Sequence, residues 1–276
     1  MGRGSGLARR LVWAFAVLIA PILRAEVVVT GNAPSYTAAG VVQAATQAAG
    51  PLAPNSIATL YGTNLSWDTY AVRSSDISNG RMPLALEGVT VLVNGMPSNL
   101  FYVSPGQINF LVPYEITTST VNIQVVRQGA AGPAVTLPMQ AVAPGFFVWN
   151  SNLALGEHVD GTLISPQAPA HEGEVVVLYA GGLGRTAPDI TSGQIVNRAT
   201  PILLASQLEV LLNGVPCPAG SVFYAGLAPD FAGLYQINLQ LPANVPANPQ
   251  IQISIVSAAG AAQTSAPGVV LPLSGN

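Results

Sequence analysis

The chain has 276 residues, of which 8% are charged and 50% are hydrophobic, and its formal net charge is −3. An ordinary soluble domain carries about 25% charged residues, and glycine plus proline must reach about 25–30% before composition signals disorder. With 28 glycines and 23 prolines the chain is turn-rich but stays below that range. This composition excludes a basic nucleic-acid binder, a coiled coil and a charged linker. Two histidines and one cysteine leave little from which to assemble a metal centre or an acid–base pair. At about 100–200 residues per domain, the length points to two domains.

The chain opens with Arg3, Arg9 and Arg10, followed by the apolar run 11–23 and the small residue Ala25. This is the order of a secretory signal peptide, and the run falls short of the ~20 apolar residues that span a bilayer. Cleavage after Ala25 removes Arg3, Arg9, Arg10 and Arg24 but no acidic residue. The remaining chain is markedly acidic, which disfavours nucleic acid and anionic lipid as partners. We therefore expect an exported protein that is periplasmic, at the cell surface or released. No stable membrane span remains once the signal is removed.

After an alanine-rich lead-in over 26–50, where Val41 to Ala49 has room for a helical turn or two, the sequence is one unit written twice. Leu60-Tyr61-Gly62-Thr63-Asn64-Leu65 returns as Leu178-Tyr179-Ala180-Gly181-Gly182-Leu183. The block from Val89 to Pro97 returns as Leu208 to Pro216, and Phe101-Tyr102 returns as Phe223-Tyr224. Gln107 to Pro113 returns as Gln236 to Pro242, and Val121 to Val126 as Ile251 to Val256. Blocks that recur in order mark a duplicated domain. Within them apolar residues alternate with period two, as in Val89, Val91 and Val93 or Ile251, Ile253 and Ile255, which is the signature of half-buried strands. Asn94-Gly95 and Asn213-Gly214 follow such strands and supply the positive φ angles of a tight hairpin. Short strands with frequent turns predict two tandem immunoglobulin-like β-sandwiches, over 51–145 and 146–276, with about seven strands each.

These strings resemble an uncharacterised C-terminal domain family abundant in Solibacter and related Acidobacteria. The resemblance is carried by Leu52-Ala53-Pro54-Asn55-Ser56, by Phe101-Tyr102-Val103-Ser104-Pro105-Gly106-Gln107-Ile108-Asn109-Phe110-Leu111-Val112-Pro113, and by Gly233-Leu234-Tyr235-Gln236-Ile237-Asn238. It covers nearly all of 32–273. Gly62-Thr63-Asn64-Leu65 is also similar to the start of IPT/TIG-type immunoglobulin-like domains. The resemblance implies an exported protein and carries no catalytic or binding residue across.

Few groups invite chemistry. His171-Glu172-Gly173-Glu174 is the densest polar cluster, but its spacing fits no zinc motif and reads as a solvated turn. His158 with Ser151 or Ser165 is the nearest approach to a hydrolase triad, yet no Gly-x-Ser-x-Gly occurs. Gly181-Gly182-Leu183-Gly184-Arg185 follows a strand without leading into a helix, so it reads as turn chemistry and not as a phosphate cradle. Asp68, Asp76, Asp189 and Asp230 lack the spacing of a compact calcium loop. Cys217 reads as a small apolar residue. Trp149, with Phe146 and Phe147, is placed in the junction between the units.

Trp67 and Tyr70, in the loop from Leu65 to Pro83, are the best candidates for ligand binding, because loop aromatics stack on sugar rings or anchor protein contacts. The expected role is a non-catalytic adhesion, scaffold or protein-interaction module, without catalytic residues, cofactor or metal. The partner would be an extracytoplasmic protein or a polysaccharide, with strand addition at sheet edges as one mode of docking. The alternative is a carbohydrate-binding module that uses Trp67 and Tyr70.

Overall fold

The computed structural model describes residues 32–256 and 260–275. The expected signal peptide over 1–25 lies outside them. Among the described residues no α-helix occurs, and only three single-turn 3-10 segments interrupt the strands. The chain is all-β and forms two tandem immunoglobulin-like sandwiches.

The first half contributes β1 (Val41–Gln43), β2 (Ile57–Tyr61), β3 (Tyr70–Ala71), β4 (Val89–Val93), β5 (Met96–Pro97), β6 (Leu100–Val103), β7 (Gln107–Leu111), β8 (Thr120–Arg127), β9 (Ala130–Ala131) and β10 (Val135–Pro138). The second contributes β11 (Gly145–Phe146), β12 (Val148–Trp149), β13 (Leu153–Ala154), β14 (Gly156–His158), β15 (Val175–Gly181), β16 (Thr200–Pro201), β17 (Leu208–Leu212), β18 (Val215–Pro216), β19 (Val222–Leu227), β20 (Tyr235–Gln240), β21 (Ile251–Val256) and β22 (Ala262–Thr264). The expectation of about seven strands per sandwich undercounts because many edge pairings are two residues long and carry no alternation to read.

The duplication is visible strand by strand. One sheet of the first half runs β1-β2-β7-β6-β3, and its counterpart runs β11-β15-β20-β19-β16. The facing sheets run β10-β8-β4-β5 and β18-β17-β21-β22, which is the same path read from opposite ends. All the pairings within these paths are antiparallel. The registers repeat too. Leu92 faces Pro97 and Val93 faces Met96 in one hairpin, while Leu211 faces Pro216 and Leu212 faces Val215 in the other. Both copies carry a bulge at the same place, between Leu100 and Tyr102 and between Val222 and Tyr224.

The hairpins show why asparagine stands at their tips. Asn94 and Asn213 both adopt φ of 50°, followed by Gly95 at 79° and Gly214 at 78°. Each asparagine Oδ1 also accepts a backbone N–H from the neighbouring strand segment, from Asn122 at 2.8 Å and from Gln250 at 2.9 Å. An amide side chain thus supplies the left-handed backbone and ties the turn to the next strand.

Each sandwich encloses its own core. The first is built from residues such as Leu60, Val91, Ile108, Phe110 and Ile123, all with no exposed surface. The second uses Leu178, Leu227, Ile237, Ile253 and Tyr235. The first cluster ends at Met139 and the second begins at Val142. Alternation along β4 (buried at Val89, Val91 and Val93) points those side chains inward, as period-two geometry requires.

Two local expectations change. Val41 to Ala49 is not helical: Val41–Gln43 is a fully buried strand that pairs with β2, because β-branched residues beside an open sheet edge gain more from pairing than from a lone helical turn. The lead-in also bridges Ser35 to Thr63, so it belongs to the first sheet. Phe146 does not fill the junction either. It sits in the second core at 1% exposure, while Trp149 pairs with Leu153 in the small β12–β13 hairpin.

Candidate functional site

Trp67 sits in a loop beside the end of β8. The residue is 47% exposed, and the Arg127 guanidinium stacks on its ring 3.7 Å from the centroid. Arg127 itself has no exposed surface. Its Nη1 and Nη2 donate to the carbonyls of Asn64 (2.5 Å) and Asn32 (2.7 Å), so two loop carbonyls and one indole face surround the buried cation. The indole Nε1 donates to Gln128 at 3.2 Å. Trp67 is therefore held in a set orientation. Tyr70 is engaged elsewhere: it is half-buried on β3, and its hydroxyl donates to the Asp76 carboxylate at 3.0 Å. Arg73 lies over its ring at 4.8 Å. The two aromatic candidates thus hold separate sets of partners.

The polar cluster around the histidines closes on itself. His158 Nδ1 pairs with Glu174 Oε1, and Nε2 faces the Ala168 carbonyl at 3.2 Å. The other Glu174 oxygen accepts the His171 backbone N–H at 2.8 Å. His171 Nδ1 meets the Ser274 hydroxyl at 2.7 Å, and Ser274 in turn donates to Ala170. The hydrogen bond to Glu174 raises the His158 pKa above its ordinary value. Both ring nitrogens of His158 face other acceptors, and Ser165 Oγ accepts the Ala168 N–H, so the ring does not activate Ser165. Among the described residues no group of three or more His, Cys, Asp or Glu side chains is arranged to hold a metal ion. Cys217 is half-buried, and burial pushes its thiol up to about 11, away from the reactive thiolate.

Two of the loop aspartates are engaged in other contacts. Asp76 accepts from Tyr70 and from the Arg73 backbone N–H (2.7 Å), and Asp189 accepts from Tyr114 (2.6 Å) and Arg185 (2.7 Å). The glycine run after β15 serves close packing. A side chain at Gly182 would strike the Ala143 carbonyl, and one at Gly184 the Ala141 carbonyl, so the end of β15 lies flat on the segment joining the two halves. Three of the sheet edges are poorly suited to strand addition. The edge strands β5, β16 and β18 are each two residues long and end in proline, which removes a ladder donor.

Sequence reasoning missed the polar residues of the junction between the sandwiches. Tyr114, 2% exposed, reaches from the first half to Asp189 and the Thr186 backbone, and its backbone N–H donates to Ser192 Oγ at 2.7 Å. Asn55 Nδ2 donates to the Tyr235 hydroxyl at 3.2 Å, and that hydroxyl donates to the Gly184 carbonyl. Segments 80–82 and 193–195 pair across the halves, with Met82 N–H to Gly193 O at 3.0 Å and Ile195 N–H to Gly80 O at 2.9 Å. Beside this seam lies a groove of about 350 Å³, lined by residues 116–119 and 139–142 and by Leu183, Arg185, Leu203 and Leu204. No periodic signal marks such a seam, because its residues come from loops distant in sequence.

No protein-family model and no curated protein matches this sequence. Among solved structures, it is similar to a Bacteroides ovatus mixed-linkage glucan utilization locus protein, SGBP-B, in complex with a mixed-linkage heptasaccharide: 12% identity, TM-score 0.35, over 89% of this chain and 46% of that one. The chain thus spans about half the length of that protein. It is also similar to the tandem Ig repeats of Dlar (11% identity, TM-score 0.18, 89% and 97% covered). A third similar structure is the titin z1z2 domains in complex with telethonin (11% identity, TM-score 0.22, 90% and 99% covered). With TM-scores this low, the description of the fold rests on the strand order and registers above. Among the described residues no helix is long and apolar enough to cross a membrane.

Proposed function

We propose that the chain is a non-catalytic, exported interaction or scaffold module in which two sandwiches act as one braced body. The observation that carries this reading is the way polar side chains are used. Tyr114, Asn55, Tyr235 and Asp189 tie the halves together, and His158, Glu174, His171 and Ser274 tie the second sandwich to its own C-terminal segment. Groups so engaged hold a shape, and a fixed composite surface suits recognition. Export rests on the order of charge and apolarity in residues 1–25. Kinship with the Acidobacteria C-terminal domain family belongs to the same proposal and rests on the repeated Gln-Ile-Asn strings at Gln107 and Gln236. The partner is an extracytoplasmic protein or polysaccharide.

The test is saturable binding of purified residues 26–276 to envelope proteins or polysaccharides, combined with assays on glycan, ester and peptide substrates. Binding without turnover supports the reading. Turnover that disappears in His158→Gln or His171→Gln overturns it, as does an absence of binding to every envelope fraction.

A second reading has a specific observation in its favour. Trp67 presents a half-exposed ring whose orientation is set by Arg127 and Gln128, and a pre-oriented indole is a good platform for a sugar ring. Tyr70 joins it only if the loop leaves Asp76. Quenching of tryptophan fluorescence by polysaccharide, lost in Trp67→Ala and kept in Tyr70→Phe, supports this reading. Equal quenching in Trp67→Ala removes it.

A further inference from the structure

The geometry points to a small-molecule site in the groove between the sandwiches, one that takes a medium-chain aliphatic carboxylate with its chain along the apolar walls and its head group on Arg185. The volume of about 350 Å³ falls within the ~300–1,000 Å³ common for small-ligand sites, toward its lower end. Ile116 and Met139 of the first core and Val142 and Leu183 of the second line it, together with Leu203. Leu203 keeps 61% of its surface exposed, although it stands beside a ready apolar cleft. Covering such surface is favourable in proportion to its apolar area, which selects an aliphatic chain over a sugar.

Arg185 is the only charged residue among the described residues that line the groove. Its Nη2 is bound to Asp189 at 2.7 Å and its Nε is buried without a hydrogen-bond partner, while the side chain as a whole keeps 38% of its surface open to a ligand. A guanidinium has five N–H donors, so this fork is only partly used. A carboxylate is the head group that matches it, through parallel N–H to oxygen bonds. The cation is also well placed: the Tyr114 ring lies 5.1 Å away, and the Leu203 N–H donates to the Arg185 carbonyl at 2.7 Å, so the guanidinium and the apolar wall are parts of one local structure. The polar residues Thr117, Thr118 and Ser119 that also line the groove are uncharged and do not repel an anion. The site is independent of whichever partner the outer surfaces take, and it differs from the Trp67 platform.

The experiment is calorimetric titration of residues 26–276 with decanoate, using 1-decanol, decyltrimethylammonium and an acetylated trileucine peptide as comparisons. Saturable one-to-one binding of decanoate, at least about tenfold tighter than of decanol and weakened about tenfold or more in Arg185→Met, is expected. Arg185 also braces Asp189, so Leu203→Glu serves as a second variant: it sits on an exposed position, and circular dichroism verifies its fold. A folded Leu203→Glu protein should lose decanoate binding, because it puts a negative charge into the apolar lining of the groove. Several outcomes overturn the assignment: no decanoate binding, equal binding of decanol or of the cationic amphiphile, binding of the peptide alone, or unchanged decanoate affinity in folded Leu203→Glu.

Discussion

Asn55 and Tyr235, separated by 180 positions in the chain, meet in the buried seam between the sandwiches, where the amide Nδ2 donates to the phenolic oxygen at 3.2 Å. Neither residue has any exposed surface. Burial raises the Tyr235 pKa far above its ordinary value, so the hydroxyl stays protonated and passes its own hydrogen to the Gly184 carbonyl. A donor, a hydroxyl and a carbonyl are thus chained across two folding units.

Removing the central link should therefore cost more than one surface hydrogen bond. Tyr235→Phe leaves the Gly184 carbonyl and the Asn55 amide without their partner. Each unsatisfied buried group costs about 1–3 kcal/mol. We expect a fall of about 2 kcal/mol in unfolding free energy by urea denaturation, with the β-sheet circular dichroism spectrum retained. A change within error would show that the seam contributes nothing to stability.

The Trp67–Arg127 stack makes a prediction about stability that is separate from any ligand. Trp67→Ala strips one face from a buried guanidinium, and cation–π contacts are worth about 0.5–2 kcal/mol. Trp67→Phe retains a ring and should recover about half of the loss. Arg127→Met is expected to be worse than either, because the carbonyls of Asn32 and Asn64 then lose their donors. Thermal melts of the three variants check the order; Arg127→Met milder than Trp67→Ala would contradict it.

The His158–Glu174 pair gives stability a direction with pH. The hydrogen bond that Glu174 accepts raises the folded-state pKa of His158 above the ordinary histidine value. A raised histidine pKa adds stability that is fully present below the unfolded pKa. That stability is lost as pH rises through the folded value. Urea midpoints should therefore decline as pH rises above the unfolded pKa of about 6.5, more in the native protein than in His158→Gln. Parallel pH profiles for the two proteins would rule out the charged pair.

The two hairpin tips offer an internal control on the duplication. Asn94 and Asn213 share the same φ of 50° and the same side-chain tie to the neighbouring strand segment. Alanine at either position must adopt a left-handed conformation that costs about 1–2 kcal/mol, and it loses the tie as well. Asn94→Ala and Asn213→Ala should destabilise by similar amounts, to within about 0.5 kcal/mol. A large difference between them would mean that the matching turns bear unequal loads.

Strand identity, hairpin tips and the doubling of the unit were legible in the sequence because they are local: Val89, Val91 and Val93 reveal their face by alternation alone, and Asn-Gly dictates its turn without help from elsewhere. The strand at Val41–Gln43 was not legible, since three residues carry no period and pairing with β2 is a tertiary event. Nor was the use of Trp67, which depends on a buried arginine 60 positions downstream. The seam lay furthest out of reach: Asn55, Tyr114, Thr186, Asp189 and Tyr235 sit in unrelated local patterns, and only the packing of one sandwich on the other turns them into a hydrogen-bonded joint with an apolar groove beside it. Backbone conformation and face-by-face polarity are set by neighbours in the chain, whereas which polar groups must satisfy one another is set by what burial brings together.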